Sequence, residues 1–144
     1  MVETVAVGTD GSETAAKAVA AAFELAERFD ARVVVLSAFE GSTGPPAPRL
    51  SGTTSEHSEW SSNAAEQVER ILAVAEESAA ERGLEVSSAM EEGEPGDVLV
   101  RLAERHGADV LVVGSKGMER RVLGSVPNTV THKAPCSVMV VKTT

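Results

Sequence analysis

The sequence predicts an α/β domain built on a mostly parallel sheet. Four short Val-rich runs, Val5–Val7, Val33–Leu36, Val110–Val113 and Val138–Val141, are almost uninterrupted by polar residues, as strands covered on both faces are. Most of the intervening stretches carry apolar residues at the helical period. The two patterns alternate to give βαβαβαβαβ, the order expected of right-handed crossovers feeding one open five-stranded sheet with helices packed on it. A length of 144 residues suits a single domain over 1–144.

Each element follows in order. After Val5–Val7, Ser12 can cap a helix whose apolar stripe is Ala15, Val19, Ala22, Phe23, Ala26 and Phe29. Val33–Leu36 is the second strand. The segment Gly41–Ser55 breaks the alternation, with Pro45, Pro46 and Pro48 among Gly, Ser and Thr. It predicts a flexible loop over about 41–57, either lying over a site at the end of the second strand or inserted on the surface without consequence. From about Ser61 to Arg82 the residues Ala64, Val68, Ile71, Leu72, Ala75 and Ala79 keep the helical period, and Gly83 is a natural stop. Leu84–Met90 alternates only in part and reads as a strand nearer an edge. A third helix starts near Pro95 and ends at Gly107, burying Val98, Leu99 and Leu102. A fourth lies between Ser125 and Lys133, with Val126 and Val130 one turn apart, Pro127 tolerated in its first turn and Pro135 beyond its end.

Composition narrows the function. Val, Leu, Ile and Phe make up about a quarter of the chain, enough to build a core. The net charge of −9 disfavours long-range attraction to nucleic acid or acidic lipid. One cysteine leaves no internal disulfide and no cysteine-built zinc site. Met1–Thr9 has no basic start and no long apolar run, and no stretch is apolar enough to span a bilayer, so a cytoplasmic protein is expected. Charge is unevenly spread, with nets of −3 over Met1–Ser55, −10 over Glu56–Asp97 and +4 over Val98–Thr144. The basic remainder surrounds a glycine cluster.

That cluster runs from Val113-Gly114-Ser115-Lys116-Gly117 through Arg120-Arg121 to Gly124-Ser125-Val126, leaving one strand and entering one helix. Glycines let a backbone approach a ligand closely. Amides at a helix start favour an anion. Ser115 and Ser125 add hydroxyl donors, and Lys116, Arg120 and Arg121 add positive charge. These are the parts of a phosphate cradle, although neither the Walker A pattern nor the dinucleotide fingerprint is present. They are equally the parts of a turn that merely reverses the chain. A second element, Gly8-Thr9-Asp10-Gly11-Ser12, sits just past the first strand, where open α/β sheets bind ligands. Asp10 can accept from a ribose or help hold a divalent cation. It can also do no more than make an Asp-Gly turn into a capped helix.

Together the two elements are specific. Val7-Gly8-Thr9-Asp10-Gly11-Ser12, the run Ala108-Asp109-Val110-Leu111-Val112-Val113-Gly114-Ser115-Lys116-Gly117, and Leu123-Gly124-Ser125-Val126 through to Ala134-Pro135-Cys136-Ser137-Val138-Met139-Val140-Val141-Lys142 closely resemble the universal stress protein family. The resemblance covers nearly the whole chain and is weakest over Gly41–Glu59. It implies the strand order 3-2-1-4-5 of an adenine nucleotide α-hydrolase-like fold, with Asp10 and Gly114 facing each other across one crevice. It implies ATP, or another adenine nucleotide, as ligand, with Mg²⁺ or Mn²⁺ on the phosphates and near Asp10. Gly8 and Ala38 match positions whose backbone lines the adenine pocket, and Gly114, Gly117 and Gly124-Ser125 match the phosphate-binding glycines. It also implies a homodimer joined through Ser137–Lys142 and a role as a stress-response regulator or sensor. Between Gly117 and Gly124 lie six residues where the ATP-binding branch has nine, so the loop cannot trace the same path. That shortening supports the rival function, a nucleotide-free dimeric interaction module.

An enzyme is not expected. No Ser-His-Asp order and no nucleophile elbow is present. His57, His106 and His132 are scattered, the last two near helix ends where they would cap or face solvent. Cys136 opens the last strand and reads as a buried, inert thiol. Trp60 reads as an anchor for the second helix. ATP hydrolysis, if present, would be slow and incidental.

Overall fold

The computed structural model describes residues 1–40, 54–115 and 124–143, with the side chains of 54–62 outside that description. The elements are β1 Thr4–Gly8, α1 Glu13–Phe29, β2 Arg32–Phe39, α2 Thr54–Glu81, β3 Val86–Glu92, α3 Pro95–Arg105, β4 Val110–Gly114, α4 Ser125–Lys133 and β5 Ser137–Val141. All five strands run parallel in the order β3-β2-β1-β4-β5, the order that the resemblance implies.

Three of the four Val runs become the inner strands β2, β1 and β4, the fourth becomes the outer strand β5, and the two-residue period of a strand sorts the inner ones into two cores. Val5, Val7, Val33, Val35 and Val112 pack against Ala18, Ala22 and Phe23 of α1 and Val68, Leu72 and Ala75 of α2. Ala6, Val34, Leu36, Leu111 and Val113 pack on the other face against Val98, Leu99 and Leu102 of α3 and Val130 of α4. Each fully buried Val contributes about 1.5–3 kcal/mol relative to an exposed one, and the buried polar side chains of these strands, Thr4 and Ser37, are hydrogen-bonded. Ser12 caps α1, its Oγ accepting from the Ala15 N–H at 3.1 Å. α1 ends at Asp30, which takes φ 54° and donates its N–H to the Ala26 and Glu27 carbonyls.

Two boundaries and one burial differ from the expectations. α2 begins at Thr54, ahead of the stripe that starts near Ser61. The added residues, Thr54 to Trp60, are mostly polar, so no apolar period marks them. β3 lies at Val86–Glu92 instead of Leu84–Met90, because Glu91 and Glu92 still pair with Ala38 and Phe39, and an outer strand accepts charged residues readily. Phe29 is 50% exposed, while Ala18 is fully buried in its place. The buried face of α1 is made by Ala18, Ala22, Phe23 and Ala26. Of the 41–57 loop, 41–53 lies outside the described residues and 54–57 is the start of α2.

The sheet has two differently built ends. At the N-terminal end, the Glu3 and Thr4 amides donate to Asp109 Oδ2 at 2.8 and 3.0 Å, and Arg32 reaches Thr4 Oγ1 and the His106 carbonyl. At the C-terminal end the chain leaves β1 for one face and reaches α4 on the other after β4. That divergence opens the site.

Candidate functional site

β1 and β4 are neighbours, with Val7 opposite Val112, but their following helices lie on opposite faces of the sheet. Strands that part in this way leave a crevice beyond their carboxyl ends, where open α/β sheets bind ligands. Here it is a cleft of about 440 Å³, within the size range of small-molecule sites.

One wall is the turn after β1. Thr9 is fixed through its backbone, its N–H donating to the Leu36 carbonyl at 2.9 Å and its own carbonyl accepting from Ser37 Oγ at 2.6 Å. Thr9 Oγ1 accepts from the Gly11 N–H at 3.1 Å, and Asp10 Oδ1 accepts from the Ser12 N–H at 2.9 Å. Gly11 holds φ 81°, a conformation that side chains disfavour. These bonds present Gly8, Thr9 and Asp10, together with Thr14 and Ala15 from the first turn of α1, to the cleft.

The opposite wall is Gly114, Gly124, Ser125, Val126 and Pro127. Gly124 is the N-cap of α4 and supplies no side-chain hydrogen bond to it. Among the described residues the Ser125 and Val126 amides therefore have no capping side chain from the N-cap, and the positive end of the helix dipole opens beside the cleft. α4 is held in position through α3, where Lys133 Nζ meets Asp97 Oδ1 at 3.0 Å. The floor is apolar, made by Ala38, Leu99 and Val113. Leu99 can lie there because position 8 is glycine: a Cβ on Gly8 would fall 2.6 Å from Leu99 Cδ1.

The cleft therefore gathers Gly8, Thr9, Asp10, Ala38, Gly114, Gly124, Ser125 and Val126. Ser115 behaves differently from the expectation. It is 1% exposed and is not among the residues that line the cleft, and its hydroxyl accepts from the Thr143 N–H at 2.9 Å and lies 3.3 Å from the Thr143 hydroxyl. Lys116, Gly117, Arg120 and Arg121 lie outside the described residues. Thr14, Ala15, Pro95, Leu99, Val113 and Pro127 also line the cleft and were not singled out as site residues. For Thr14 and Ala15 the signal was available, since the crevice rule that selects Asp10 applies equally to the first turn after it. Leu99 read only as core, because sequence shows that a residue is apolar and not that its edge meets a cavity.

Two groups with shifted acidity, Asp109 and Cys136, lie at the other end of the sheet. The Glu3 and Thr4 amides hold the Asp109 carboxyl below the usual range. Burial, followed by the charge of Asp109, pushes the Cys136 thiol up, so this half-buried thiol stays protonated at neutral pH. His106 is the C-cap of α3, and His132 lies in the last turn of α4. The side chains of His57 and Trp60 are outside the described residues. Among the described residues no group of three His, Cys, Asp or Glu could hold a metal ion. Asp10 alone fits a cation only in one way. Magnesium carried on phosphates needs no more than one or two carboxylates from the protein, so the donor set suits an ion that arrives with a nucleotide. Among the described residues no helix is long and apolar enough to cross a membrane.

Comparison with known proteins gives a consistent result. A model of the universal stress protein family matches residues 1–142. Universal stress protein Rv1636 of Mycobacterium tuberculosis is 35% identical over 148 aligned positions, covering 99% of this chain and 97% of its own. A crystal structure of a universal stress protein in complex with cAMP superimposes with a TM-score of 0.74 at 31% identity, covering 99% of this chain and 98% of that one. Universal stress protein UspA from Lactobacillus plantarum shares the fold, with a TM-score of 0.80 at 22% identity and 97% of each chain covered.

Proposed function

The chain belongs to the universal stress protein family, and from that premise we propose that it binds an adenine nucleotide, ATP first among them, in the cleft between β1 and β4. The observation that carries this is the convergence on one cleft of Gly8-Thr9-Asp10 and Gly124-Ser125-Val126, two motifs far apart in sequence. An anion is favoured at the α4 N-terminus, where amides without a capping side chain meet the positive end of the dipole. A planar base suits the apolar floor of Ala38, Leu99 and Val113. Asp10 suits Mg²⁺ or Mn²⁺ carried on the phosphates. The relative crystallised with cAMP, at 31% identity, supports the adenine ring as the common element.

Binding, not turnover, is the proposed activity. The Asp10 carboxylate takes part in its own turn by accepting from the Ser12 N–H, which suits a positioning role. The protein would act as a cytoplasmic stress-response regulator or sensor, independent of nucleic acid and membrane. It would work as a homodimer through the outer edge of β5, extended to Lys142. The spacing of six residues between Gly117 and Gly124 favours a second function, a dimeric interaction module without nucleotide.

Titration calorimetry with ATP, AMP and cAMP, with and without Mg²⁺, separates the two. Saturable heat with at least one of them, weakened at least about tenfold in Gly124→Val, is expected from a side chain placed in the cleft wall. Folded wild-type protein that gives no heat with any of the three leaves the interaction module.

A further inference from the structure

We propose that Thr143, in the tail beyond β5, is a positioning residue for the nucleotide cleft, so that order in the tail and occupancy of the cleft are coupled. This rests on the nucleotide-binding function proposed above.

Residues past a last strand ordinarily fray. Thr143 is instead 3% exposed and Ser115 1%. Among the described residues their contacts form one connected set. The Thr143 N–H donates to Ser115 Oγ at 2.9 Å, and the two hydroxyls lie 3.3 Å apart. The Ser115 N–H donates to the Val141 carbonyl at 2.9 Å. Lys17 Nζ, on α1, donates to the Thr143 carbonyl at 3.3 Å. The tail thereby joins α1, the end of β4 and the end of β5.

The junction stands directly behind the cleft wall. A Cβ on Gly114 would lie 3.1 Å from Thr143 Cγ2 and 3.9 Å from the Thr14 carbonyl. Gly114 and Thr14 both line the cleft. The Thr143 methyl thus packs close to the backbone of Gly114, a residue that lines the ligand space. It also accounts for the residue type at 115, whose hydroxyl satisfies a buried amide instead of reaching the ligand.

A released tail would leave Gly114 and Ser115 without this support, and apparent affinity falls in proportion to the fraction of molecules that keep the wall in place. By linkage, bound nucleotide must strengthen the Thr143 contacts by the same factor.

The test titrates wild type, Ser115→Ala and Lys17→Met with ATP–Mg²⁺ and with AMP, and follows hydrogen exchange at the Thr143 amide in wild type with and without nucleotide. Ser115→Ala, which leaves the Thr143 N–H without its acceptor, is expected to bind about 5- to 10-fold more weakly. Lys17→Met, at the exposed end of the junction, is expected to lose about twofold. Exchange at Thr143 is expected to slow several-fold when nucleotide binds. If Ser115→Ala does not fold, Lys17→Met and the wild-type exchange decide. A purely structural contact would lower the unfolding midpoint while leaving affinity and nucleotide-dependent exchange unmoved, and that result overturns the proposal. Wild type that binds neither nucleotide overturns the nucleotide function and the tail's role with it. Wild type that binds, with unaltered variants and unaltered exchange, overturns the tail's role alone.

Discussion

The Ser12 main-chain N–H donates to Asp10 Oδ1 at 2.9 Å, and this one bond both closes the turn that starts α1 and fixes a carboxylate at the edge of the cleft. The residue that shapes the turn is therefore also one that lines the cleft. Asn at position 10 can accept the same bond with its amide oxygen but carries no charge. Asp10→Asn is expected to change unfolding free energy by less than about 1 kcal/mol. The same variant is expected to lose the enhancement of ATP binding by Mg²⁺, about tenfold in affinity. Urea unfolding and calorimetry with and without Mg²⁺ check the two halves separately. A variant that keeps the full magnesium effect removes Asp10 from cation binding.

The neighbouring glycine carries the conformational demand of the same turn. Gly11 has φ 81°, and a Cβ there would fall 2.7 Å from Ile71 Cδ1 of α2. The left-handed conformation costs a residue with a side chain roughly 1–2 kcal/mol, and the Ile71 side chain must also turn aside. Gly11→Ala is expected to destabilise by about 1–3 kcal/mol, measured by urea unfolding. A neutral result means that the turn can relax into another conformation.

Much of this was readable before any coordinates. The Val runs and helical stripes are local patterns, and local patterns report element type well because period and burial are the same fact. The crevice at β1 and β4 follows from strand order, but the order itself came from the resemblance to a family; composition and spacing alone give only a parallel sheet. What sequence could not show is direction. Ser115 has the chemistry of a phosphate donor, yet its hydroxyl points to Thr143, a residue 28 positions away. Phe29 fits the stripe of α1 by period but is half exposed. Leu99 is apolar and reads as core, yet it is also the cleft floor because Gly8 leaves it room. Each of these depends on which long-range neighbour arrives, and a residue's own identity does not encode that.

Asp109 makes a pH-dependent contribution at the opposite end of the sheet. Its carboxyl is held below the usual range by the Glu3 amide first and the Thr4 amide second. A group whose folded pKa is depressed stabilises the fold above the unfolded value, about 3.9 for Asp, and that stabilisation is lost as pH falls through the folded value. At neutral pH, Asp109→Asn is expected to unfold at a lower temperature than wild type. The gap should narrow as pH drops below about 4. Thermal unfolding followed from pH 7 to pH 2.5 checks this, and a gap that stays constant or widens with acid contradicts the assignment.

The outer edge of β5 sets the last expectation. Among the described residues β5 pairs with β4 on one side only, so its other edge presents backbone donors and acceptors with no described strand beside them in the sheet. Ser137–Val141 is mostly Val and Met, and Met139 is 41% exposed. Edges of this kind are usually blunted by charge or proline, and this strand has neither between Ser137 and Val141. A second copy meeting it about a two-fold axis would cover the apolar surface of both chains, and every substitution would then enter the interface twice. Met139→Glu introduces two like charges into that surface. It is expected to weaken self-association by about 100-fold or more, and sedimentation velocity across a concentration series reads this directly. Retention of ATP binding in the monomeric variant would show that one chain completes the cleft. If Met139→Glu associates as strongly as wild type, the copies meet through another surface, and β5 is then a bare edge that needs a different cover.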